Sequence, residues 1–113
     1  MPMKLMTKDM RRRLPPLCSQ EKKTADEVPV IAHFFSCVNG AANWYATEFD
    51  PNEERFFGFA ELFPGCGELG YFSLAEFEEL NRSGRFPIPP IERDLHWDPE
   101  RWTLQDILDG KRP

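Results

Sequence analysis

The sequence predicts an α+β domain: an antiparallel β-meander of about four strands, with short helices packed on one face. Three observations lead there. Hydrophobic residues make up 41% of the 113, ten of them Phe, enough to fill one core. Eleven prolines and seven glycines cut the chain into short elements. Between Val28 and Phe72, runs rich in β-branched and aromatic residues are joined by turns too short for a parallel crossover. The chain reads as one domain over residues 1–113, with 1–3 and 111–113 frayed.

Each element has a local cause. In LMTKDMRRRL, Thr7 suits a helix N-cap, Met6, Met10 and Leu14 recur on one face, and Pro15-Pro16 ends the helix. The polar stretch Ser19 to Glu27 reads as a loop. VPVIAHFFSCV at 28–38 is the first strand, Asn39-Gly40 its hairpin signal, and ANWYATEFD at 42–50 the return strand. Asp50-Pro51-Asn52 turns into a third strand, RFFGFAELF, and Pro64-Gly65-Cys66-Gly67 into a fourth, ELGYF. Ser73 then opens a helix with Glu76 at capping-box spacing. Leu74, Phe77 and Leu80 form its apolar face, and Gly84 stops it. Prolines hold FPIPPIERDLHW extended, and a last helix runs from Thr103 to Asp109, ended by Gly110.

The net charge of −5 is unevenly spread. Residues 1–23 hold seven basic side chains against Asp9 and Glu21, leaving seven basic and seventeen acidic ones for 24–113, a balance of −10. Such a body repels phosphate, so a basic arm at Arg11, Arg12 and Arg13 is the only part suited to nucleic acid. The rest suits a basic protein partner. No stretch approaches the ~18 apolar residues of a membrane span, and Cys18, Cys37 and Cys66 share no short spacing. A reduced cytoplasmic protein with no membrane contact is the expectation, with the cysteines as small core fillers. Oligomeric state is not legible.

Two acid pairs are the foremost candidates for chemistry. Glu48 and Asp50, two apart on a strand, share a face at roughly 6–7 Å between Cα atoms, and Glu92 and Asp94 repeat the spacing. Brought together they could hold Mg²⁺ or Mn²⁺ for metal-dependent hydrolysis; kept apart they are a solvated edge paired with Arg55 or Arg93. Hard cations have no diagnostic spacing, so the solvated reading is preferred and no metal is assigned. Zinc fails too, because His33 and Cys37 stand about 13 Å apart along one strand and no CxxC pair nucleates a site with Cys66 and His96. Ser73 lacks a nucleophile elbow, and the PGCG loop lacks the Lys and helix of a phosphate cradle. His33 and His96 sit among aromatic residues, where a satisfied, partly buried imidazole is the ordinary outcome. No catalytic residue and no cofactor emerge. Most aromatic residues read as core, with Trp44 and Trp97 at a partly exposed patch that binds a protein.

The blocks KLMTKDMRRRLPPL, WYATEFD, FFGF, ELGYFSL and PIERDL together resemble the bacterial domain-of-unknown-function family numbered 2958. The resemblance covers roughly residues 4–98 and keeps the motif order; the tail from Arg101, the loop at 19–27 and the Cys66 turn lie outside it. It implies carriage on conjugative plasmids and integrative elements and brings no catalytic residues. A small acidic protein in that setting is expected to be a non-enzymatic binding protein acting on a host or element protein, as anti-restriction or anti-CRISPR factors do. The alternatives are a nucleic-acid-binding accessory factor using the N-terminal helix and a hydrolase at the acid pairs.

Overall fold

The computed structural model describes residues 4–36, 42–63, 65–83 and 90–112. Helix α1 spans Lys8–Arg13, and a 3-10 turn follows at Ala25–Glu27. Strands β1 (Ala32–Ser36), β2 (Asn43–Asp50), β3 (Arg55–Glu61) and β4 (Gly67–Ser73) form the expected meander. Then come α2 (Leu74–Arg82), β5 (Ile91–Arg93) and α3 (Leu104–Leu108). The two hydroxyl N-caps act as the sequence indicates, although at Ser73 only the hydroxyl half of the capping box is formed. Thr7 Oγ1 accepts the Met10 N–H at 3.1 Å, and Ser73 Oγ accepts that of Glu76 at 3.1 Å. Asn39-Gly40 and Gly84 lie outside the described residues.

Among the described residues the sheet has five strands, in the order β4-β3-β2-β1-β5. β5 comes from the segment expected only to be extended; it pairs antiparallel with β1, Phe34 opposite Arg93. A three-residue strand just after a run of prolines carries no periodic signal, and its partner lies nearly sixty residues away in sequence.

Helices pack on both faces rather than one. On the first face, Phe34, Ala46, Phe49, Phe56 and Phe72 meet Met6, Met10 and Leu14 around α1 and Leu74 and Phe77 of α2. On the second, Tyr45 and Phe59 meet Val28, Val30 and the α3 residues Leu104 and Ile107. Both faces are apolar because the strands are aromatic-rich at successive positions, as in Phe56-Phe57 and Phe34-Phe35. Leu80, expected on the buried face of α2, is exposed, and so are Cys18 and Cys66. The Ser19–Glu27 loop is less open than its polarity implies, for Gln20 is buried.

A β-bulge sets which side chains face which core. Ala46 pairs with Gly58 but Glu48 with Phe57, so Thr47 is an extra residue in β2. It reverses the alternation: Phe49 joins Ala46 on the first face, while Glu48 and Asp50 move to the face of Tyr45.

α3 is only five residues long, so its cap matters. Thr103 Oγ1 accepts from Asp106 N–H at 3.2 Å and the Asp106 carboxylate accepts the Thr103 N–H at 3.0 Å. That backbone donor holds the Asp106 carboxyl below the usual carboxylate range. Thr103→Ala is expected to cost about 1 kcal/mol, read as a lower urea midpoint with an unchanged slope.

Candidate functional site

The two acid pairs are not brought together. Glu48 is 5% exposed, and its carboxylate clamps a loop: one oxygen accepts the Cys18 N–H at 2.9 Å, the other the Gln20 N–H at 3.2 Å. Gln20 returns the contact, its side-chain amide donating to the Thr47 carbonyl at 3.2 Å. Asp50 accepts the Asn52 N–H at 3.0 Å and shapes the β2–β3 turn. Asp94 lies at the far side of the sheet, one oxygen 2.9 Å from His33 Nδ1 and the other accepting the His96 N–H at 2.9 Å. Glu92 sits half-buried on β5 opposite Phe35. Tyr45 and His33 stand between the two pairs. Among the described residues, no group of three His, Cys, Asp or Glu side chains is close enough to share an ion.

His33 is the satisfied imidazole that its aromatic setting indicates. Its Nε2 lies 2.8 Å from Asn43 Oδ1, and its ring stacks on Tyr45 with centroids 4.6 Å apart. Arg112 covers the Tyr45 ring at 5.3 Å and meets Glu61 at 3.4 Å. Burial pushes the Tyr45 phenol up, with the Arg112 charge opposing.

The two tryptophans are packed at their faces. Trp44 is half-buried, edge-on to Phe77 at 4.9 Å. Trp97, also half-buried, donates its indole N–H to the Val30 carbonyl at 2.9 Å and stacks on Trp102 at 5.7 Å. The arginine cluster is partly neutralised within its own helix. Arg12 and Arg13 both hold Asp9, Arg13 lies 3.7 Å from Glu100, and Arg11 rests over the Phe49 ring at 5.3 Å. The ion pair with Asp9 raises the Arg13 pKa above its usual value.

A groove that motif reading misses lies on the second face. It holds about 410 Å³ between the sheet, the loop carrying Cys18 and Gln20, and α3. Phe57, Leu69 and Tyr71 form its floor, Leu104 and Leu108 one wall, and the clamped Cys18–Lys23 segment another. Its floor is open: Leu69 is 48% and Tyr71 53% exposed. α3 is too short to cover the β3–β4 end of the face, so these residues stay bare. Phe57 and Tyr71 are cross-strand partners with ring centroids 5.3 Å apart, and Arg55 lies over the Tyr71 ring at 4.4 Å. The signal was in the register: pairing FFGF with ELGYF across the tight turn puts Phe57, Leu69 and Tyr71 on one face. Counting aromatic residues as core conceals it.

No helix among the described residues is long and apolar enough to cross a membrane. The chain matches no curated protein and no solved structure. A family model described as "Protein of unknown function (DUF2958)" matches residues 5–107, beyond the last of the shared motif blocks and through most of α3. The chain belongs to that family.

Proposed function

We propose that this is a non-enzymatic binding protein whose second-face groove seats apolar side chains of a protein partner. The open apolar floor at Phe57, Leu69 and Tyr71 carries the reading. Three of the four candidate acids, by contrast, are engaged in holding backbone N–H groups at Cys18, Gln20, Asn52 and His96. The −10 balance of residues 24–113 suits a basic partner and a salt-sensitive association. In a mobile-element setting, which the family resemblance implies, the partner would be a host or element protein, a defence component included.

The test places a photo-crosslinking amino acid at Tyr71 in one variant and at Lys8 in another. Irradiation in the native host is expected to join one protein to position 71 and not to position 8. Adding Leu69→Glu and Leu108→Glu should abolish that product. Both sites are exposed, so stability is expected to stay within about 0.5 kcal/mol. Crosslinks from position 8 alone, or a product indifferent to the two glutamates, would sink the reading.

A further inference from the structure

We infer that β4 is a strand acceptor: an extended segment of a basic protein partner pairs with its open edge and turns alternate apolar side chains toward the groove. This rests on the groove reading above and states how the partner engages it.

The two edges of the sheet differ. β5 is three residues long, too short to template another strand. β4 has seven residues and, among the described residues, pairs with β3 alone, in register from Arg55 opposite Ser73 to Glu61 opposite Gly67 without a bulge. Every second residue of such an edge directs its N–H and C=O outward. Natural edges are guarded by proline, lysine, bulges or a covering element. β4 has no proline, no lysine and no bulge, and a single charge, Glu68. A strand laid against it receives main-chain hydrogen bonds for affinity. Side chains beside Leu69 and Tyr71 fall at the lip of the groove, so those positions are apolar. On the other face Gly70 leaves room, since a Cβ there would meet nothing within 4 Å.

Charge decides the occupant. Residues 53–79 hold seven glutamates against Arg55, which is stacked on Tyr71; Glu61 meets Arg112 and Glu79 meets Arg82, so the excess rests on Glu53, Glu54, Glu68, Glu76 and Glu78. A second copy pairing through β4 would set this acidic margin against itself, which like-charge repulsion opposes. A partner strand alternating apolar residues with Lys or Arg satisfies edge, groove and field together.

The experiment selects a displayed library of random peptides, about twelve residues long, on the full chain, then studies the enriched peptides as synthetic probes. The expected winners alternate apolar and basic residues, and their affinity falls about tenfold between about 0.05 M and 0.5 M salt. Hydrogen exchange at alternate amides of 68–72 is expected to slow on binding, and Leu69→Glu with Tyr71→Glu to abolish it. Winners with helical i, i+3, i+4 spacing, or slowed exchange at α3 but not β4, would overturn strand addition and leave the groove reading standing. Binding indifferent to the two glutamates, or no enrichment at all, would overturn both. Slow β4 exchange in the free protein, together with a dimer in sedimentation, would make a second copy the occupant and overturn the basic partner.

Discussion

Gly58→Ala is expected to cost at least about 3 kcal/mol, lowering the melting temperature by roughly 10–15 °C or leaving the protein insoluble. A methyl on Gly58 would stand 1.8 Å from the Tyr45 carbonyl oxygen, 2.9 Å from its carbon and 3.1 Å from the Ala46 Cα. All three are backbone atoms, so no side chain can swing away, and β2 and β3 must part to admit the new carbon. The close approach sits beside the Thr47 bulge, where Gly58 faces Ala46 just before the pairing slips by one residue. Moving the strands there disturbs both cores, because Tyr45 feeds the second face and Ala46 the first. Gly70→Ala supplies the control. It lies on the neighbouring strand opposite Gly58, meets nothing within 4 Å, and does not occupy the left-handed region. Its expected effect is neutral to stabilising by up to about 1 kcal/mol, through the entropy of the unfolded chain. Urea unfolding followed by tryptophan fluorescence separates the two. Equal midpoints would mean that the strands are not as close at Gly58 as described.

What was legible in the sequence is what short-range chemistry determines. Thr7 and Ser73 cap helices because a hydroxyl reaches an N–H three residues on, a relation contained within one turn. Asp50-Pro51-Asn52 turns because the Asp side chain accepts the N–H two residues ahead. β5 was hidden because three residues show no period and their pairing with β1 is a long-range event. The bulge was hidden for a different reason. WYATEFD reads as a continuous strand, and nothing in its composition says that Thr47 drops out of the alternation; the Phe49 side chain reaches the first face only because it does. The candidate site suffered most. Glu48 and Asp50 share one face, as their spacing predicts, yet their partners are a loop some thirty residues earlier and a turn two residues later. Spacing reveals which side chains are neighbours and not what they hold.

Glu48→Ala is expected to destabilise the fold by about 3 kcal/mol, the effect of a buried carboxylate that serves two backbone donors. Its removal strands the N–H of Cys18 and of Gln20 at once, in a place where Gln20 and Glu48 are both buried and water does not replace the lost acceptor freely. Cys18 adds to the sensitivity, since it holds φ at 66°, a left-handed conformation that needs its surroundings to maintain it. Glu48→Gln should fall between, at about 1–2 kcal/mol: one carbonyl oxygen still accepts, but an amide NH2 then opposes a backbone N–H, donor against donor. Asp50→Asn keeps an acceptor for Asn52 on the exposed side of the turn and is expected to change stability by less than about 0.5 kcal/mol. The readout is denaturant midpoint together with hydrogen exchange at the Cys18 and Gln20 amides, which should accelerate in both Glu48 variants and stay unchanged in Asp50→Asn. The same loop forms one wall of the groove, so loosening it is expected to weaken partner binding even under conditions where the variant remains folded. A Glu48→Ala protein as stable as the parent, with slow exchange at Cys18, would show that the carboxylate does not hold the loop. Its burial would then call for another role, and the acid pair would return as the place to look for chemistry.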